Sequence, residues 1–158
     1  YTEELTEYFD LNQIGVLKYE KEQKMSRFDR WLRRQRYRNK KEIDADTRLG
    51  IVCANLELMC KREGITRVCL TGSEMEKIRK SQESVWSNLT ERLSAAGIQV
   101  QMVDNICYDM MAMRTVSEVG AVVLVEQVNE SIFQEIDKEL SMLKQNEVKV
   151  VGAIGLEN

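Results

Sequence analysis

Short apolar runs recur along this chain with no polar residue inside them. Val68-Cys69-Leu70 and Ala121-Val122-Val123-Leu124-Val125 are the clearest, and Val150-Val151-Gly152-Ala153-Ile154 closes the series. A strand with one face in water alternates apolar and polar side chains. A strand without that alternation must be covered on both faces. Between the runs lie longer segments with helical spacing. Residues 45–62 place Leu49, Val52, Leu56, Met59 and Cys60 on one side, and Gly64 follows as a stop. Residues 83–96 align Val85, Leu89, Leu93 and Ala96, closed by Gly97, and residues 131–144 align Ile132, Ile136, Leu140 and Leu143. Residues 109–119 read as a Met-rich helix, with Met110, Met111 and Met113 expected to fill the core. Strands are expected at 68–71, 98–103, 121–125 and 148–154. Helices alternating with doubly covered strands predict a three-layer α/β domain, with a mostly parallel sheet and helices on both faces.

The first of these strands ends in Thr71-Gly72-Ser73. A strand, a Gly turn and a helix N-terminus make the usual phosphate cradle, so the sheet is of P-loop or Rossmann-like type. A working P-loop needs a second Gly and then Lys-Ser or Lys-Thr. Here Gly72 and Ser73 are followed by Glu74, Met75, Glu76, Lys77, Ile78, Arg79, Lys80 and Ser81. Lys80-Ser81 copies only the last two letters, and Glu74 and Glu76 set negative charge where a polyphosphate would arrive. Gly72, Ser73, Lys77, Lys80 and Ser81 therefore read as a vestigial phosphate loop. The competing interpretation is an ordinary strand-helix turn with no ligand. Asp104, after the strand at 98–103, stands where α/β folds put functional carboxylates, or else simply caps the following turn. An aspartate-phosphorylated receiver domain would need more acids at strand ends than Asp104 supplies.

Composition narrows the chemistry further. The 158 residues suit one domain. There is no His, which removes the commonest general base and metal ligand, and no metal is expected. The net charge of −3 does not point to nucleic acid. Cys53, Cys60, Cys69 and Cys107 lack metal-ligand spacing and each lies in an apolar stretch, as expected of reduced thiols in a cytosolic setting.

The first part of the chain differs from the rest. Residues 3–9 read as a short helix and Gly15-Val16-Leu17 as a short strand. From 18 to 41, eleven Lys and Arg face three acids, interleaved with Phe28, Trp31, Leu32 and Tyr37. Arg27, Arg30, Arg33, Arg34, Arg36, Arg38, Lys40 and Lys41 form its basic core. Such a segment suits an anionic membrane surface, or else is a solvated or partner-contacting arm. The chain divides into an N-terminal segment with the basic arm, 1–44, and the α/β domain, 45–158. It opens at Tyr1 rather than Met and is read as a piece of a longer protein.

The order of these motifs resembles the cytoplasmic domain of bacterial polysaccharide chain-length determinants and their tyrosine autokinases. Leu5 to Leu11 with Ile14-Gly15-Val16-Leu17 looks like that family's phrase after its membrane segment. Ala54-Asn55-Leu56 is similar to its "TNL" helix end. Asn88 to Asp104 is similar, without a gap, to its "NLA-x-x-LA-x-AG-x-x-VLLID" helix and strand. Ala121 to Val125 and Lys149 to Ile154 resemble its two later strands. Against the pattern, Ile106 replaces the second Asp of the family's "D-x-D", and no "D-x-P-P" strand intervenes before Ala121. Thr47, Gly50 and Cys53 stand where the arginine-rich assembly motif would fall, and a tyrosine-rich tail is absent.

The resemblance implies a place on the cytoplasmic side of the inner membrane, within a longer membrane protein. Its partners would be proteins of the polysaccharide assembly machinery. With the departures counted, Asp104 is a vestigial metal-site residue and no cofactor is expected. The reading is a non-catalytic regulatory or docking domain. Two alternatives stand beside it. One is a nucleotide-binding or tyrosine-kinase-like domain that holds Mg-ATP through an unusual loop. The other is a membrane-surface adaptor acting through the basic arm.

Overall fold

The computed structural model describes residues 11–18, 45–127 and 133–157. In chain order the elements are β1 (Gln13–Lys18), α1 (Ala45–Arg62), β2 (Arg67–Thr71), α2 (Met75–Ser81), α3 (Glu83–Ala95), β3 (Gln99–Met102), α4 (Met110–Val119), β4 (Ala121–Gln127), α5 (Phe133–Gln145) and β5 (Lys149–Glu157). The five strands form one sheet in the order β1-β5-β4-β2-β3, and every pairing is parallel. The helix read at residues 3–9 and the basic arm after Lys18 lie outside the described residues.

The unbroken apolar strands are covered on both faces. Val123 and Val125 of β4 point into one core with Leu49, Val52 and Leu56 of α1, Ile78 of α2, and Trp86, Leu89 and Leu93 of α3. Val122 and Leu124, one residue out of phase, point into a second core with Ala112 and Val116 of α4 and Leu143 of α5. This is the period-two alternation of a strand with apolar side chains on both sides.

Several details differ from the sequence expectation. Helix α2 was not separated from the loop by periodicity. On α3 the buried stripe is Trp86, Leu89 and Leu93, with Val85 only partly buried beside it. On α5 the buried positions are Ile136, Glu139 and Leu143, with Leu140 only half-buried. The methionines are corrected in part. Met113 packs against the second core, but Met110 and Met111 at the start of α4 are exposed, at 89% and 66%. Asp109 caps that helix, accepting hydrogen bonds from the Met111 and Ala112 amides at 2.9 and 3.3 Å.

Residues 13–18 belong to the same sheet. β1 forms its edge beside β5, with Ile14 and Leu17 buried against α1. The Asn55 side-chain amide donates to the Ile14 carbonyl at 2.8 Å, so the "TNL"-like asparagine ties α1 to this edge strand.

Candidate functional site

β2 and β4 are neighbours, but the chain leaves β2 towards β3 and leaves β4 towards β5. In a parallel sheet that divergence opens a crevice at the carboxyl ends of the strands, where ligands bind. The Thr71-Gly72-Ser73 turn and the end of β4 meet at this place. Gly72 passes so close to β4 that a Cβ built on it would lie 1.8 Å from the Val125 carbonyl oxygen. The glycine is needed here for close backbone approach.

That approach sets the Ser73 amide beside the next residue of β4. Ser73 N–H faces both carboxylate oxygens of Glu126, at 3.3 and 3.4 Å. The Ser73 hydroxyl donates to Glu139 Oε1, from α5, at 3.3 Å. Both acids are buried. Burial, with the Glu126 charge next in weight, drives the Glu139 carboxyl far above the ordinary carboxylate range. An amide that a phosphate cradle would offer to an incoming anion thus faces a carboxylate of the chain itself.

Outside the turn, a cleft of about 600 Å³ is lined by Ser73, Glu74, Glu76, Lys77, Lys80, Asp104, Asn105, Tyr108 and Asp109, among others. Of the residues predicted from sequence, Ser73, Lys77, Lys80 and Asp104 share this cleft. Gly72 lies beneath it. Ser81 ends α2, and its hydroxyl donates to the Lys77 and Ile78 carbonyls, 2.8 and 3.2 Å away. Lys80 pairs with Glu76 one helical turn back, at 3.2 Å. Asp104 has Arg79 Nη2 3.2 Å from its Oδ1, an attraction of charges without hydrogen-bond alignment, while its backbone carbonyl accepts from the buried Thr71 hydroxyl at 2.9 Å. Asn105 bridges the two loops, donating to the Ser73 carbonyl and accepting from the Cys107 amide. Ile106, at the second position of the "D-x-D" comparison, is buried in the second core.

Sequence reasoning missed Arg79, Glu126 and Glu139. A signal existed for the two acids. Glu126 ends an unbroken apolar strand, the criterion that singled out Asp104. Glu139 falls between Ile136 and Leu143 at helical spacing, a charge on the buried stripe. Among the described residues no group of three or more acids or cysteines could hold a metal ion. The four cysteines are free, three buried and Cys107 half-buried. Burial raises all four thiols, Cys69 to about 11, so they stay protonated at neutral pH. No helix among the described residues is long and apolar enough to cross a membrane.

No protein-family model matches the chain, and no curated protein does. Solved structures do. The BceF tyrosine kinase domain superposes with a TM-score of 0.64 at 10% identity, covering 99% of this chain and 98% of that one. The kinase domain of the Escherichia coli tyrosine kinase ETK gives 0.53 at 11% identity, covering 99% and 94%. The chain shares its α/β fold with tyrosine kinase domains.

Proposed function

We propose that the chain is a non-catalytic docking and regulatory domain built on the tyrosine-kinase fold, the cytoplasmic part of a polysaccharide chain-length regulator. Its partners are then proteins of the polysaccharide assembly machinery. The observation that carries this reading is the Ser73 amide facing Glu126. Phosphoryl transfer rests almost wholly on placing phosphate and metal charges. A triphosphate entering this crevice meets Glu126 behind the loop and Glu74 and Glu76 beside it, and Coulomb repulsion opposes it. Asp104 is beside Arg79, and position 106 is apolar and buried, so a second metal carboxylate is lacking there. These residues do not fit Mg-ATP.

A nucleotide-binding reading has one observation in its favour: Lys77 and Lys80 line the same cleft as Asp104. Isothermal titration with Mg-ATP and with Mg-ADP separates the two. The expected result is no saturable binding at micromolar nucleotide. Micromolar affinity overturns the non-catalytic reading.

A further inference from the structure

Under the Ser73 turn two acids meet out of contact with water. Glu126 is 5% exposed and Glu139 is not exposed at all, and Ser73 links them: its N–H faces the Glu126 carboxylate and its hydroxyl donates to Glu139. Two ionised carboxylates can only accept hydrogen bonds, so while both are charged neither can donate to the other. With both ionised, Glu139 Oε2 is a buried atom with no hydrogen-bond partner. An orphaned charged oxygen in that position is strongly unfavourable, because neither water nor a donor replaces the hydration it has lost. A proton on the Glu139 carboxyl removes the uncompensated charge and turns one of its oxygens from an acceptor into a donor.

We propose that Glu126 and Glu139 form a proton-binding site, singly protonated at neutral pH, that holds the Ser73 turn closed over the chain's own carboxylate. The proton resides on Glu139, the more deeply buried acid. Glu126 keeps the negative charge, because it faces the Ser73 N–H. The groups facing Glu139 agree with this placement. Beyond burial, the Glu126 charge on β4 disfavours its ionisation. From the turn after β3, Cys107 acts in the same sense, while the Ser73 hydroxyl opposes them weakly. Glu135 and Lys138 of α5 lie near Cys107 with opposite signs. The proposal rests on the same Ser73–Glu126 contact as the proposed function, but its test is read with no nucleotide present.

The consequence is a dependence of stability on pH. Glu139 binds its proton more tightly folded than unfolded. Its contribution is therefore complete below the ordinary carboxylate value of 4.5 and is lost as pH rises toward the elevated folded value. For one proton the folding equilibrium constant falls by up to about tenfold per pH unit. The test is urea unfolding of the chain and of Glu139→Gln from pH 5 to pH 9. The Gln amide keeps a donor toward Glu126 and cannot ionise. The chain is expected to lose stability as pH rises, and the variant to show a slope shallower by about tenfold per pH unit. Equal slopes overturn the proposal. Infrared spectroscopy at pH 7 supplies a readout that does not require the variant to fold. A persistent band from an un-ionised carboxylic acid in the unsubstituted protein supports the site, and its absence overturns it. Mg-ATP titration reads the loop separately, so failure of one idea is distinguishable from failure of the other.

Discussion

Glu147 is the only non-glycine described residue with positive φ, at 55°. Its neighbours explain why. After α5 the Val148 amide bonds to the Leu143 carbonyl at 2.9 Å and the Glu147 amide to that of Lys144 at 3.2 Å. The same paired bonds close α1 through Ile65 and Gly64, and α3 through Ile98 and Gly97. Both of those helices put Gly at the left-handed position, with φ of 66° and 85°. An L-residue there costs roughly 1–2 kcal/mol. Glu147→Gly is therefore expected to stabilise the domain by about 1 kcal/mol, less the entropy that glycine adds to the unfolded chain. A lower urea midpoint for the variant refutes this account. Gly72 is the opposite case. Gly72→Ala drives a methyl group into the Val125 carbonyl, which cannot swing aside as a side-chain tip would. The loss should reach or exceed the upper end of about 1–3 kcal/mol for overpacking. A variant as stable as the parent would mean that β2 and β4 separate more easily than their pairing suggests.

At the scale of elements, the strands and long helices were legible because burial imposes a period. β4 was plain as an unbroken run, and α1 as a stripe from Leu49 to Cys60. What stayed hidden depends on the other side of a contact. α2 has seven residues, too few for a periodic pattern. The deep position of Trp86 depends on its indole N–H reaching the Ile78 carbonyl at 3.3 Å, a partner on another helix. Met110 and Met111 stand exposed in the first turn of α4, and only Met113 packs against the second core. The phosphate loop was legible as a turn after a strand and as a departure from the P-loop pattern. Its pairing with a carboxylate was not, because Glu126 lies 53 residues from Ser73 in sequence. α2 also decides what Lys80 is worth. Its pair with Glu76 is well exposed, at 73% and 68% for the two side chains. Exposed pairs one helical turn apart contribute about 0.3–0.5 kcal/mol. Lys80→Ala should change stability by no more than about 0.5 kcal/mol. A larger loss in thermal or urea unfolding would show that this lysine has a role in the loop itself.

For the whole molecule the question is where the folding unit begins. Composition breaks near residue 44, yet β1, upstream of that break, is an edge strand of the sheet. Ile14 and Leu17 are buried, at 0% and 3% exposed, in the core that α1 completes. Asn55 reaches across to the Ile14 carbonyl, and the Asn12 carbonyl accepts from the Ala153 amide at 2.9 Å. Removing β1 uncovers the inner face of α1 and leaves β5 as an unpaired edge. Two buried aliphatic side chains are worth about 1.5–3 kcal/mol each, so about 3–6 kcal/mol goes with them before any hydrogen bond is counted. A domain of this size has about 5–15 kcal/mol in total. A chain starting at Ala45 is therefore expected to be marginal: early loss of its urea transition, exposed apolar surface that binds a hydrophobic dye, and a tendency to associate through the bared edge of β5. A chain starting at Leu11 keeps every contact described for β1 and should match the parent more closely than the shorter one does. If the two truncated chains unfold at the same urea concentration, β1 is an accessory strand and the folding unit begins at α1.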